Sequence, residues 1–276
     1  MSFPFDEDKS FLLNEDKLFL LDEDKPFSSW TLQGLYGAPT LLFENIESTH
    51  LYLHNHFREL VPGTLIIANS QTHGRGRHDR PWVSPVNKNL YFNLFIPLQG
   101  IRETYYSQIT QIAAISLAQI LKSYHIQVAV KWPNDLLWQG QKICGIISER
   151  IIHNQESFLS LGIGLNVNTD PSDLENIGRP ATSLKIITQK TLNRSNLLQL
   201  FISKMEFALL KLKKEGFLPW KQEWLQMENF LGKKAQVVEF GKAISGSIYN
   251  INDDGSLLFQ KEDGEIITIY AGDLEI

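Results

Sequence analysis

The stretch TLIIANSQTHGRGRHDRPWVSP, residues 64–85, changes character at its sixth residue. Residues 64–69 are almost continuously apolar and end abruptly, which predicts a short buried strand. From Gln71 onward there is no hydrophobic period. Instead the chain places His73, Gly74, Arg75, Gly76, Arg77, His78, Arg80 and Trp82 in one loop. Glycines let backbone N–H groups approach a ligand without Cβ obstruction. Arginines supply fork-shaped donors suited to carboxylate or phosphate, and an indole supplies a flat apolar wall. No glycine stands at position 79 and no Gly-Lys-Ser/Thr follows, so neither the dinucleotide fingerprint nor the P-loop is matched. Composition alone leaves a solvated basic loop as the alternative.

Outward from this loop the chain alternates strand-like and helix-like segments. TLLFEN (40–45) reads as a strand. Ser48 is placed to cap a helix running to Leu60, and Pro62-Gly63 ends it. NLYFNLFIPL (89–98) is β-rich, and residues 104–124 carry the helical stripe Ile109, Ile112, Ala113, Leu117, Ile120 and Leu121. VAVKW (128–132), KICGIISERII (142–152) and SFLSLGIGLNVN (157–168) are further strand candidates. Helices are expected over 194–215, stopped by Gly216, and over 219–228. After that the chain breaks into short strands joined by Gly, Asn and Asp turns, including NDDG at 252–255. The pattern predicts an α/β (α+β) body over 40–229 and a small β-barrel over 230–276.

Two more segments carry chemistry. In KWPNDLLWQGQKICG (131–145), Lys131, Asn134 and Asp135 sit where Pro133 breaks a strand. An aspartate there can hold Mg²⁺ through phosphates, and Lys142, with Gly145 three residues on, can face a bound anion. An ordinary hairpin is the alternative. In GIGLNVN (162–168), Gly162 and Gly164 thin a strand so that another group can approach, with Asn166 and Asn168 on one side. Packing of that strand against a helix explains it equally well.

The 276 residues are 43% apolar, enough for a sizeable core, and contain no run of about 18 apolar residues and no secretory signal pattern. Cys144 is the single cysteine, which excludes an internal disulfide framework and points to a reducing cytoplasm. It reads as a small buried residue. Residues 1–29 hold eight acids against three lysines, which is the whole net charge of −5; residues 30–276 carry 23 of each sign. An electroneutral body is a poor non-specific nucleic-acid binder, so any anion site must be a local cluster. The acidic start is an octad repeat, DEDKSFLL, NEDKLFLL and DEDKPFSS (6–29), with Phe11, Phe19 and Phe27 in register. Residues 1–39 are read as an acidic tail or loosely docked arm.

Taken together, residues 40–276 resemble the biotin–protein ligases. The family's Gly-Arg-Gly-Arg then Trp-x-Ser-Pro stands at 74–77 and 82–85, Lys-Trp-Pro-Asn-Asp at 131–135, Lys-x-x-Gly-Ile at 142–146 with Glu149 after it, and Gly-x-Gly-x-Asn at 162–166. The upstream Ser-Thr-Asn appears as Ser48-Thr49-His50, and the glutamine ahead of the loop as Gln71. The resemblance implies a mixed-sheet, class II synthetase-like domain followed by an SH3-like barrel. It implies joining of biotin to a lysine of a biotin carboxyl carrier protein through biotinyl-5′-AMP, with ATP and Mg²⁺. By that resemblance Ser48, Thr49, His50, Gln71, Gly74, Arg75, Gly76, Arg77, Trp82, Lys131, Asn134, Lys142, Gly145 and Asn166 line the biotin and nucleotide site. Asn134 falls near the adenine. Lys142, Asp135, Arg75 and Arg77 fall nearest the chemistry, with Asp135 as the metal-associated carboxylate. Three positions depart from the pattern: His50 for asparagine, His78 for arginine and Asp79 for glycine. Asp79 is expected to turn away from the ligand, toward Arg80.

A lipoate or octanoate ligase of the same fold is the nearest rival, although such proteins lack the Gly-Arg-Gly-Arg and Lys-Trp-Pro-Asn-Asp pair. A DNA-binding repressor is the other. The roughly 40 residues ahead of the first motif are acidic and too few for a winged helix, so no nucleic-acid partner is expected. No membrane partner is expected either. A homodimer paired through a sheet edge is compatible with the implied fold.

Overall fold

A computed structural model describes residues 24–275 apart from 176, 228–229 and 240–241. In chain order it contains β1 (Thr40–Phe43), α1 (Thr49–His56), β2 (Leu65–Ala68), β3 (Leu90–Pro97), α2 (Gln108–Ser123), β4 (Ala129–Lys131), β5 (Asp135–Trp138), β6 (Gln141–His153) and β7 (Glu156–Leu165). Then come α3 (Pro171–Leu174), α4 (Leu184–Thr188), α5 (Arg194–Glu215), α6 (Leu218–Met227), β8 (Lys234–Glu239), β9 (Lys242–Ile251), β10 (Leu257–Lys261), β11 (Ile266–Ile269) and β12 (Asp273–Glu275). The first seven strands form one sheet in the order β1-β2-β3-β7-β6-β5-β4. Only β1 and β2 are parallel, and α1 makes their crossover; the remaining pairs are antiparallel.

The apolar run at 64–69 is explained by burial on both faces. Leu65 and Ile67 join the main core, while Ile66 points to a second cluster with Leu53, Phe95, Ile151 and Phe158. α1 closes that second cluster. On the other face α2 is buried along nearly its whole length, with α5 and α6 packed against it. α5 begins at Asn193, whose side chain accepts from the Asn196 N–H at 3.0 Å, and stops at Gly216 (φ +72°), as its capping residues require.

Two expectations change. The segment Asp135–Trp138, not among the expected strands, is strand β5, because it lies between β4 and β6 and pairs with both. The expected arm of residues 1–39 also ends earlier. Phe27, Trp30 and Leu35 are buried in the main core, and the Arg194 guanidinium lies over the Trp30 ring at 5.0 Å while its Nε meets Asp24 Oδ2 at 2.6 Å. The inner end of the segment is part of the body, since three large apolar side chains gain more from burial than a polar tail would. The first two octads lie outside the described residues.

The C-terminal strands form an antiparallel sheet in the order β11-β10-β9-β8-β12. Its two edge strands are joined by residues 270–272 alone. That connection spans at most about 14 Å, whereas edges of a flat five-stranded sheet stand about 19 Å apart. The sheet must therefore curl toward a barrel around Val237, Ile248, Leu257 and Phe259. It docks by its NDDG turn: the Gly255 carbonyl accepts from Gln111 Nε2 at 2.7 Å and Trp132 Nε1 at 3.0 Å. Gly255 has φ +76°, and a Cβ there would stand 2.5 Å from Gln111 Oε1, so the turn requires glycine.

Candidate active site

The loop after β2, the start of α1, the β4–β5 turn, the first half of β6 and the C-terminal end of β7 converge on one cavity of about 300 Å³. Every residue expected at the site except Gly74 lines it, including Ser48, Gln71, Arg75, Arg77, Lys131, Asp135, Lys142 and Asn166. Gly74 instead shapes the loop: a Cβ there would meet the Trp82 carbonyl at 2.6 Å and Gln71 Nε2 at 2.9 Å.

One end is built on α1. Ser48 caps the helix, its Oγ facing the Leu51 N–H at 3.5 Å. Gln71 Oε1 accepts from the Thr49 N–H at 2.9 Å, and its Nε2 donates to Ser84 Oγ at 3.1 Å. One glutamine thus ties the helix start to the far end of the loop. His50 sits beyond it. Nε2 meets Glu149 Oε2 at 3.1 Å, and Nδ1 faces Ser160 Oγ at 3.1 Å and Asn93 Nδ2 at 3.3 Å. Burial holds the imidazole pKa below its ordinary value, against the pull of Glu149.

The floor is a pair of glycines. Gly145 of β6 and Gly164 of β7 are directly opposite in register, and Trp82 lies over both. A Cβ on Gly164 would stand 2.4 Å from the indole, and one on Gly145 2.9 Å. Beside the ring, Lys142 Nζ is 5.6 Å from its centroid and 2.7 Å from Asp135 Oδ1. Lys131 is half-buried, and desolvation lowers its pKa despite nearby Asp135. Six positive side chains, Lys131, Lys142, Arg75, Arg77, Arg80 and Arg179, line one cavity of an otherwise electroneutral body.

Two of the lining residues also make structural hydrogen bonds within the protein. Asn134 is buried with both ends of its amide engaged: Nδ2 donates to the Ile146 carbonyl and Oδ1 accepts from Arg77 at 3.4 Å. It positions Arg77 and β6. Asn166 donates to the Thr182 carbonyl at 3.1 Å, anchoring the segment that runs beside Lys142. The side chain of Asp79 lies outside the described residues. Arg80, its expected partner, pairs with Asp273 at 2.5 Å.

Asp273 was not singled out in the sequence. It belongs to β12, yet it also stands 3.5 Å from Arg77 and 3.7 Å from His78, and Arg77 donates to the Gly272 carbonyl at 3.0 Å. Arg179 is a second unexpected lining residue, carried beside Lys142 because Ala181 bridges to that lysine. Neither lies near a motif in the chain, so only the fold reveals them. Cys144 is fully buried in β6, and its thiol pKa is pushed up by that burial.

Residues 42–168 match the model of the biotin/lipoate A/B protein ligase family. The chain is 30% identical over 248 residues to the bifunctional ligase/repressor BirA of Bacillus subtilis (strain 168), covering 87% of this chain and 74% of that protein. The chain belongs to the biotin–protein ligase family. It is also 24% identical over 219 residues to the biotin–[acetyl-CoA-carboxylase] ligase of Mycobacterium tuberculosis, covering 78% and 79% of the two chains. Among solved structures, the biotin protein ligase of Aquifex aeolicus in complex with biotin and ATP superposes with a TM-score of 0.74 at 27% identity, over 86% of this chain and 97% of that one. The mixed sheet and small β domain are thus those of the family, and the motif segments at 74–85, 131–135 and 142–146 lie within the matched region.

Proposed function

We propose that this chain joins biotin to a lysine of a biotin carboxyl carrier protein at the expense of ATP. The observation that carries the reading is the convergence of residues from separated segments, 48–50, 71–82, 131–145 and 166, on one cavity.

In the first step a biotin carboxylate oxygen attacks the α-phosphorus of ATP; the bond to the β-phosphate bridging oxygen breaks, and pyrophosphate leaves with the electron pair. Two anions must approach, and at about 4 Å their repulsion is roughly 4 kcal/mol at an effective dielectric near 20. Arg75, Arg77, Lys131 and Lys142 oppose that repulsion and stabilise charge spreading over the phosphoryl oxygens. No protein nucleophile is needed. In the second step the acceptor amine attacks the mixed anhydride's carbonyl carbon, AMP leaves, and the nitrogen gives up its proton. The anhydride is hydrolysable, so Trp82 seated on its glycines, with the loop folded over it, serves to exclude water.

Asp135 is the carboxylate that would hold Mg²⁺, shared with ATP phosphates. The other two carboxylates of the lining, Asp273 and Glu275, belong to β12, where Asp273 is taken by Arg77 and Arg80. One carboxylate beside the phosphates suits an ion held mainly by substrate oxygens, and no cluster of three His, Cys, Asp or Glu side chains fit for a metal occurs among the described residues. The ion would add positive charge at those phosphates.

No helix among the described residues is long and apolar enough to cross a membrane, and a cytoplasmic location belongs to the same proposal. So does a homodimer paired through β1 or β4, the two edges of the large sheet.

Purified protein given biotin and α-labelled ATP should form biotinyl-adenylate, and lipoate given in parallel should not. Lys142→Ala should lower the adenylation rate by on the order of 10²-fold or more, while His78→Ala, more than half exposed, should stay within a few-fold. Adenylation of lipoate in place of biotin overturns the substrate assignment.

A further inference from the structure

The family pattern has asparagine where this chain has His50, and the substitution brings a titratable ring to the cavity wall. His50 lines the cavity beside Thr49 with its side chain 17% exposed. Its two nitrogens are distinguished by their partners. The Asn93 amide nitrogen is a donor aimed at Nδ1 from 3.3 Å, so Nδ1 accepts. Nε2 then carries the proton and donates it to Glu149 Oε2 at 3.1 Å. The ring is held in one neutral tautomer from three strands: Asn93 on β3, Glu149 on β6 and Ser160 on β7.

The charged and titratable groups facing this ring are Glu149 on β6, His54 on α1 and Arg75 on the loop after β2. Glu149 is shared, its other oxygen taking His54 Nε2 at 2.8 Å. It is 45% exposed, so it offers partial, solvent-screened compensation for an imidazolium at position 50. Arg75 and His54 both disfavour the charge.

We propose that vitamin binding at this site is coupled to deprotonation of His50, so that the ligand is held by the neutral ring and released as the ring is protonated. The proposal rests on the biotin reading above. A largely apolar ligand that covers the cavity face of His50 removes water from it, and desolvation penalises the imidazolium more than the imidazole. The existing burial already lowers the ring's pKa; covering it lowers that value further. The sign follows from linkage. Bound ligand favours the deprotonated ring, so affinity is full above the free protein's His50 pKa and declines as pH falls through it, by up to about one log unit of Kd per pH unit. Glu149, with its own pKa held down by His54 and His50 against desolvation, stays ionised across that window.

The test is calorimetric titration of the full chain with biotin between about pH 5.5 and 8, a window above the ordinary range of carboxylates. Running each pH in two buffers of different ionisation enthalpy counts protons exchanged. Wild type is expected to release a fraction of a proton on binding toward the acid end of the window and to lose affinity as pH falls toward it, by less than about tenfold over the window because the free ring's pKa already lies below its ordinary value. His50→Asn, which restores the family residue, is expected to bind without proton release and with a flat profile. His54→Gln alters a ring 46% exposed and outside the cavity lining, and should keep the proton release, with the profile moved toward higher pH because a group that disfavours the imidazolium is gone. Absence of proton release in wild type, the same release in His50→Asn, or its loss in His54→Gln overturns the coupling. Absence of any biotin binding at pH 8 is a different outcome and defeats the functional assignment instead.

Discussion

Trp82 shows how a single residue type at a distant position can depend on an absence elsewhere. The indole lies on Gly145 and Gly164 because neither has a Cβ to hold it off. Its Nε1 is buried without a hydrogen-bond partner in the protein, an unmet donor that costs on the order of 1–3 kcal/mol. A ligand acceptor would relieve that cost. Gly164→Ala would place a methyl 2.4 Å from the ring, and backbone on both sides leaves the ring as the part that moves. The expected result is loss of ATP affinity by at least about tenfold, with destabilisation of roughly 1–3 kcal/mol as for an overpacked site. Nucleotide titration followed by tryptophan fluorescence, together with thermal denaturation, checks both. At this scale the sequence was informative: Trp82, Lys142, Asp135 and Arg77 were named from their motifs. What the sequence did not show is that both ends of the Asn134 amide have protein partners, although the residue lines the cavity as expected.

At the scale of elements, capping and period carried most of the reading. α5 runs from a capping Asn193 to Gly216 as expected. α1 ends at His56, four residues before the expected stop, since the chain tightens into turns ahead of Pro62. The short strands β5 and β12 were not legible, because three or four residues show no period and gain strand geometry only from their neighbours. The join between the N-terminal segment and α5 is another such case. Arg194 is 2% exposed and its charge is met by Asp24, itself 13% exposed. Asp24→Ala leaves a guanidinium buried without its carboxylate, a change that costs about 3–5 kcal/mol when a buried pair is broken from one side. Chemical denaturation should show that loss, while biotin affinity in the remaining folded protein should change little, because neither residue lines the catalytic cavity. A stability loss below about 1 kcal/mol would mean that the other acceptors of Arg194, Asn69 Oδ1 and the Asn89 carbonyl, suffice without Asp24.

At the scale of the whole molecule, the small C-terminal sheet completes the site. Asp273 gathers Arg77, His78 and Arg80 at the rim, so the anion loop is held by a residue nearly 200 positions away. Removing that charge while keeping the shape loosens the loop without touching the α1 end. Asp273→Asn is therefore expected to lower adenylate synthesis by about tenfold, with biotin affinity changed less than twofold. That magnitude corresponds to roughly 1.4 kcal/mol of transition-state stabilisation. Steady-state kinetics with ATP varied, and equilibrium binding of biotin, read the two separately. An equal loss in both would mean that the substitution disturbs the body and not the loop.

The chain by itself determined the chemistry on offer: the longer strands and helices, where the glycines and cations cluster, and that the body has no general excess of positive charge. Those properties are local, set by propensity, by period and by side-chain type over a few residues. Only the tertiary structure decided which groups meet. It seated Trp82 on two glycines of neighbouring strands, fixed the tautomer of His50 from three strands, drew Asp24 to Arg194 and brought Asp273 to the loop. Such pairings join positions far apart in the chain, and no local pattern records them. They exist because the sheet order and the docking of the small β unit bring those positions within a few ångströms, where burial and charge act.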